Sequence, residues 1–521
     1  MFEKIKDKPE YLFLIFIIIT TVFLRLIKLA DLFHFTYDES IFAFVGKRII
    51  VNGHIPLIGG VTPFHMHLSP FFYWLSAFFL FFSKLNPLGW GVFSAIISGF
   101  TIMALYFFVK ETYGIKTAFI TAILYCFSLF INIYDRHYWG LFFNPLISIL
   151  VLYSLFKILR RKDSFFLLLG AVLGFGFHTD PSTIIFFPLI FLVIWLYKIP
   201  LMKNRYAKIG LLIFLISFLP LIIFDLRHNF VNIKGIFQYI PEVSRSSGIS
   251  LTRISDSVLY IPRLLSRIIL ITGKINLAEE YSYCPKYAFG KLASIPLILL
   301  LISGIILIIA VFNKTISKKE NSTKTILNIF LLSTLLGLFI YSGLLGRPFF
   351  EHYLSTLIPV LIIFIALVLD KIISVSKIFG VLIIAVFIFI NLKQLFNVYH
   401  GYGFNVKSKA VKWAIANTEG DFALDSLSNC FRYNGYRYLF YLYGKEPTKS
   451  YVDQNFFWLY DKPPSQIHPK ELIVMVAADY KDNTDLRSKY LLYKQREIKS
   501  KTFGDLEAII VDNTKGILYE F

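Results

Sequence analysis

Asp38 and Glu39 are the residues to consider first for chemistry. They are two carboxylates side by side in Asp31–Pro70, the only long polar stretch near the N-terminus. After Thr36-Tyr37, the apolar residues Ile41, Phe42, Phe44, Val45, Ile49 and Ile50 recur at helical spacing, and Asn52-Gly53 closes the pattern. Both acids therefore fall in the first turn of a short amphipathic helix. Thr36 and Glu39 have the spacing of a capping box, and both charges answer the helix dipole. These local duties account for Glu39, whereas Asp38 is different in kind if the helix lies beside a membrane, where an ionised carboxylate is costly enough to be retained for a task. His65 and His67 alternate in an extended segment and so share a face. Two imidazoles do not make a metal site, and they are expected to line a groove or meet headgroups. Cys126, Cys284 and Cys430 lie far apart and give neither a metal spacing nor a disulfide framework.

The surroundings of the acid pair are membrane-like. Of 521 residues, 56% are hydrophobic, 18% aromatic and only 17% charged. The net charge of +20 could suggest nucleic acid, but the basic residues are scattered in short clusters between apolar runs. That is the pattern of cytoplasmic loops, so no nucleic-acid partner is expected. The N-terminal run is followed by Arg25 and Lys28 with no small-residue cleavage site, which reads as an uncleaved first span.

Apolar runs long enough or nearly long enough to cross fall at 10–29, 90–109, 117–133, 145–159, 164–178, 181–197, 209–224, 291–313, 326–345, 352–369 and 378–395. A twelfth, 68–83, is shorter and has polar ends. If it does not cross, every basic cluster in the short loops shares one side with Lys4, Lys6 and Lys8. Those clusters are Lys110 and Lys116; Lys157 to Lys162; Lys198 to Lys208; Lys314 to Lys324; and Lys371 with Lys377. If it crosses, the N-terminus conflicts with all of them. The run is therefore expected to be interfacial or re-entrant, with a cytoplasmic N-terminus. The stretch 31–70, the loop 134–144, the His178-Thr179-Asp180 turn, the loop 225–290, the turn 346–352 and the segment 397–521 then share the outer face.

In this setting the order of motifs resembles a known family. Tyr37-Asp38-Glu39-Ser40 is followed by Ser69-Pro70-Phe71-Phe72-Tyr73-Trp74, then by Arg136 through Phe143-Asn144-Pro145. Leu219-Pro220 with Asp225-Leu226-Arg227-His228, and His352-Tyr353 leading to Pro359, complete the series. Across roughly 10–395 this is similar to the lipid-linked glycosyltransferases of the C-type (GT-C) fold, in the branch of protein O-mannosyltransferases and aminoarabinose transferases. The resemblance implies inverting transfer of a sugar from a polyprenyl-phosphate donor to an acceptor hydroxyl at the outer face of the plasma membrane. The acceptor is a protein, a glycan or a lipid.

The residues make physical sense of that implication. An acceptor hydroxyl is a weak nucleophile and needs a carboxylate to take its proton. Asp38, paired with Glu39, fits this role because a helix N-terminus favours the charged form. The leaving lipid phosphate needs donors, for which Arg136, Arg227, His228, Arg347 and His352 are candidates. Tyr37, His65, His67 and Asn144 are candidates for the acceptor or its groove. The chain departs from the aminoarabinose transferases at Asn144-Pro145, where they carry an acid before the proline. A divalent cation (Mg or Mn) at Asp38, Asp135 and Asn144 is thereby left open. No Gly-rich phosphate loop for a soluble sugar nucleotide is present.

Two further segments carry expectations. Leu251 to Gly273 alternates basic and apolar residues as an interfacial helix would, with Arg253, Arg263 and Arg267 toward headgroups. Beyond 397 the hydropathy falls, and a helix at Ser408–Ala416, a Tyr-rich element at Tyr433–Tyr443 and strands at Glu471–Ala477 and Ala508–Asp512 predict a small α/β domain. The expected architecture is a bundle of about eleven spans with one or two interfacial helices and this exported unit. Two other functions stay open: a flippase of lipid-linked sugars, and an O-antigen ligase or polymerase type of protein. Against the flippase, transporters place their sites near the bilayer midplane on broken helices.

Overall fold

The computed structural model describes residues 9–62, 66–246, 251–272, 277, 295–312, 318–345, 351–429, 435–456, 459 and 469–514. His65, Arg347, Cys284, Cys430 and the side chain of Arg253 lie outside the described residues. Each apolar run is largely helical where it is described. Among the described residues six helices are long and apolar enough to cross a membrane, beginning with Pro9–Leu26 and ending with Lys377–Asn397. Arg205–Ser217 and Leu219–Arg227 together have the length and hydropathy of a further span, broken by a 47° bend, and five shorter apolar helices of 10–17 residues stand beside them. The bend falls at Leu219-Pro220, where proline lacks the donor that would continue the helix. The run at 68–83 is the 12-residue helix Phe71–Phe82. At 1.5 Å per residue it reaches about 18 Å, short of the roughly 30 Å hydrocarbon core.

Glycine sets the closest helix contact. A Cβ on Gly170 would lie 2.0 Å from the Gly210 carbonyl oxygen, and one on Gly210 would lie 2.2 Å from the Phe166 carbonyl oxygen. The helices Phe165–Thr179 and Arg205–Ser217 thus touch backbone to backbone, as small residues allow in membranes. Gly210→Val is expected to push these helices apart and sharply lower the yield of monodisperse protein on size-exclusion chromatography, whereas Gly304→Ala, where nothing lies within 4 Å, should not.

The helix Leu251–Ile269 departs from the interfacial expectation. From Ile261 onward it is buried in the bundle, and the Ser266 hydroxyl meets that of Ser303 at 2.9 Å. Ile261, Leu264, Leu265 and Ile268 recur at helical spacing and are covered by protein rather than lipid. Arg267 is not aimed at headgroups. Its guanidinium pairs with Glu351 and lies 5.0 Å from the Phe130 ring centre.

Among its described residues the C-terminal unit holds a five-stranded sheet in the order β2-β1-β3-β5-β4. The strands are β1 Phe422–Leu427, β2 Lys449–Ser450, β3 Glu471–Ala477, β4 Glu497–Phe503 and β5 Leu506–Asp512. β1 pairs parallel with β2 and β3, whereas β5 runs antiparallel to β3 and β4. β3 is central and buried on both faces, which is why it reads as an unbroken apolar run. Leu472, Val474 and Val476 join one cluster with Tyr493 of the helix Thr484–Lys494. Ile473, Met475 and Ala477 join the cluster that continues into the helical bundle. β1 and β4 escape the sequence pattern for different reasons. β1 buries Asp425, whose Oδ2 accepts from the Tyr493 hydroxyl at 2.6 Å, and β4 is a charged, largely exposed edge. The Tyr-rich segment is the helix Tyr436–Leu442, and it docks rather than projects: Tyr438 packs on Phe35 and Phe44 and donates to the Leu85 carbonyl at 2.8 Å.

Candidate active site

The helix Tyr37–Asn52 begins and ends where its sequence requires. The Thr36 amide and hydroxyl both donate to Glu39 Oε2, at 2.9 and 3.1 Å. At the far end Gly53 adopts φ 67°, and its amide donates to the Arg48 carbonyl. The first turn then presents three directions. Tyr37, Ser40, Ile41 and Phe44 line a cleft shared with Gly435, Arg437, Tyr451 and Phe456 of the C-terminal unit. Asp38 is half-buried and acts electrostatically on Tyr73 of the next helix. Glu39 is fully buried, and its Oε1 lies 2.6 Å from His137 Nε2.

Glu39 therefore caps its helix and also anchors a buried polar network. His137 stacks on Trp139 with ring centres 4.0 Å apart, and Trp139 lies 4.8 Å from His352. On the other side His34 Nε2 meets the Thr36 hydroxyl at 3.1 Å, and His34 Nδ1 meets His400 Nε2 at 3.2 Å. Burial alone would raise the Glu39 carboxyl. The charge and hydrogen bond of His137, with the Thr36 amide, bring it below its ordinary value. Burial first, and neighbouring His137, His400 and Lys407 after it, hold His34 well below the usual imidazole range.

Lys407 of the helix Phe404–Ala416 completes the network. It is fully buried, and its amine donates to the Phe35 carbonyl. Burial lowers it from 10.5 to about 7, against the opposing pull of Glu39. The unfolded chain thus binds a proton at this lysine between about pH 7 and 10.5 that the folded chain does not. Stability from this site is complete above 10.5, falls as pH drops toward 7, and is flat below. The difference is of order 4–5 kcal/mol across the window. Lys407→Met should lose this slope: its stability relative to wild type, measured by thermal unfolding in detergent from pH 7 to 10, should shift in its favour as pH falls.

The other residues singled out by type are placed differently. Arg136 is buried, and its guanidinium donates to the carbonyls of Leu24, Arg25, Ile27 and Asn132. It caps the end of the first span, so a phosphate would compete with those carbonyls for its donors. Asp135 accepts from Arg25 at 3.0 Å and from the Tyr125 hydroxyl at 3.2 Å. Asn144 is fully buried and donates to the hydroxyls of Ser182 and Ser355 at 3.0 and 2.9 Å. Asp180 accepts from the Ser182 amide, as an ordinary cap. His67 donates its backbone amide to Asn232 Oδ1 and sets Nδ1 at 2.8 Å from the same atom, while Asp225 accepts from the Asn232 and Ile233 amides. Asp225 thus caps a helix, and Asn232 in its first turn ties the His67 segment to the long loop. Arg227 and His228 are exposed, with His228 stacked on Phe224.

At the expected cation site of Asp38, Asp135 and Asn144, Arg25 pairs with Asp135, while Asn144 spends its Nδ2 on the two serines and keeps its Oδ1 buried without a hydrogen-bond partner. Among the described residues the ligand atoms of His34, Glu39 and His137 lie within 4.8 Å of one another, and these three could hold a divalent cation. Both His34 nitrogens and both Glu39 oxygens already have protein partners. An ion held by these three would replace these hydrogen bonds with its own. His34, His137, His400, Lys407 and Glu351 were not reached by sequence reasoning. His34, His137 and Glu351 lie within 31–70, 134–144 and 346–352, stretches the hydropathy assigns to the outer face, and that placement is the signal that could have found them.

The comparisons follow this geometry. Residues 67–224 match the family model described as dolichyl-phosphate-mannose-protein mannosyltransferase. No curated protein matches the chain in sequence. The fold is similar to ArnT from Cupriavidus metallidurans bound to undecaprenyl phosphate, with TM-score 0.56 and 10% identity over 97% of this chain and 99% of that chain. The apo form of that protein gives TM-score 0.54 with the same identity and coverage. The bundle with its docked α/β unit therefore has the C-type glycosyltransferase fold, and the chain resembles the lipid-linked glycosyltransferases of the protein O-mannosyltransferase and aminoarabinose transferase branch.

Proposed function

We propose that this chain is a membrane glycosyltransferase that moves a sugar from a polyprenyl-phosphate donor to an acceptor hydroxyl at the outer face of the plasma membrane, with inversion. The observation that carries the reading is the division of labour in the first turn of the Tyr37–Asn52 helix. Glu39 is buried and fully engaged, while its neighbour Asp38 stays half-exposed at the helix N-terminus. A carboxylate placed there can accept the proton of an incoming hydroxyl. In the step, the acceptor oxygen bonds to the anomeric carbon as the bond from that carbon to the phosphate oxygen breaks. The proton passes to Asp38, and the electron pair leaves with the lipid phosphate. Attack on the face opposite the leaving phosphate inverts the centre.

The developing phosphate charge needs donors. Of the described donor candidates, Arg136 is engaged, Arg227 and His228 are accessible, and His352 stands beside Trp139 in the network that reaches Glu39. That ArnT is held with undecaprenyl phosphate supports a polyprenyl carrier for this shared fold. The test uses membranes containing the chain, a radiolabelled polyprenyl-phosphate hexose and cell-envelope material. Acceptor-dependent release of polyprenyl phosphate, with a single sugar on the acceptor, is the expected result. Movement of intact donor across the bilayer without cleavage would replace the reading with a flippase, and transfer of a polymer would replace it with a ligase.

A further inference from the structure

Resting on the transferase reading above, we propose that Lys407 is a positioning residue for Asp38, and that the C-terminal unit is part of the scaffold that aims this carboxylate. The segment Asp31–Thr36 leads from the first span into the Asp38 helix, and the C-terminal unit holds it at successive points. The Phe404 amide donates to the Phe33 carbonyl at 3.0 Å, and the Lys407 amine to the Phe35 carbonyl. Asn405 Nδ2 donates to Asp31 Oδ1 at 2.6 Å, and His400 meets His34. The approach is close enough to need glycine: a Cβ on Gly403 would lie 2.1 Å from the Asp31 carbonyl oxygen.

These bonds meet an obligation as well as adding contact. Phe33 and Phe35 are fully buried, and a buried carbonyl in non-helical backbone must find a donor outside its own segment. The Phe404–Ala416 helix supplies both donors. Phe35 directly precedes the N-cap Thr36, and Asp38 follows two residues later, so the direction of the first turn is set by where Lys407 holds Phe35. A lysine is suited to this because its long stem reaches from one element to a carbonyl on another. Its burial is costly, which a tether with no consequence would not warrant. A base must be held to a fraction of an ångström, and a displacement of about 1 Å costs on the order of 100-fold in rate.

The test uses the full-length chain in lipid nanodiscs as wild type, as Lys407→Met, and as Lys407→Met with Asp31→Cys and Asn405→Cys, whose side chains already meet. Lys407→Met should lower kcat by about 10- to 100-fold, with KM for the lipid donor and the melting temperature at pH 7 little changed. Amide exchange over residues 33–42 should rise by about tenfold, a local opening confined to that segment. Oxidising the cysteine pair should return kcat and slow exchange, and reduction should undo both. The proposal is overturned if kcat of Lys407→Met stays within twofold, if donor KM or melting falls in step with kcat, or if exchange at 33–42 is unchanged. It is also overturned if the oxidised pair restores neither. Should wild type transfer no sugar from any polyprenyl-phosphate donor, the transferase reading fails by itself, and the exchange measurement alone decides whether Lys407 orders the segment.

Discussion

Asp38→Asn should lower sugar transfer by about a thousandfold, within the 10²–10⁴ that a positioned general base contributes. Donor binding and thermal stability should stay near wild type. The amide has nearly the shape of the carboxylate, so packing against the Phe71–Phe82 helix persists, but it cannot take a proton from the acceptor hydroxyl. The loss should fall on kcat, because the interaction removed is made in the transition state. Glu39→Gln is a distinct experiment. It should weaken the contact with His137 and loosen the helix start, lowering stability and activity together. Transfer by Asp38→Asn within a few-fold of wild type, at matched abundance, would remove Asp38 from the chemistry and leave it a role in helix capping.

The second large effect is expected at the ion pair of Arg25 and Asp135, which joins the first span to the loop before Gly140. Both side chains are buried, with 0% and 3% of their surface exposed. Arg25 also donates to the carbonyls of Cys126 and Tyr125 and to Asn132 Oδ1. Asp135→Asn would leave a guanidinium inside the bundle without its counter-charge, at a cost of about 3–5 kcal/mol. Arg25→Met should cost at least as much, because three further acceptors lose their donor. Combining the two should cost less than the sum of the single changes by about 2–3 kcal/mol, measured from reversible unfolding in detergent. Strict additivity would show that the charges do not stabilise each other.

The same contact explains why the neighbouring Arg136 looked different in sequence. Three consecutive residues, Asp135-Arg136-His137, point to a helix partner, to the carbonyls ending the first span, and to Glu39. By residue type the arginine was the natural phosphate ligand. The fold gives its donors to backbone oxygens that are stranded at a helix end.

What the sequence determined by itself was everything that depends on near neighbours along the chain. Hydropathy runs placed the apolar helices, because length and composition decide what the bilayer accepts. Thr36 and Glu39 announced a helix start, since a cap joins residues three apart. β3 and β5 were legible because their apolar runs are continuous, while buried Asp425 and the charged edge β4 concealed the other two long strands. The Asp38-Glu39 pair marked the region of interest, yet nothing local said which acid would be engaged.

Only the tertiary structure decided that, through pairings between residues about 100 to 370 positions apart: Glu39 with His137, Arg25 with Asp135, His34 with His400, Phe35 with Lys407. It also turned Leu251–Ile269 inward, because an apolar stripe with arginines suits a protein groove as well as a headgroup layer. The physical reason is common to all of these. Periodicity and capping are set by backbone geometry within a turn or two. The partner of a buried charge is set by which distant groups also need one, and that is known only once the chain has closed.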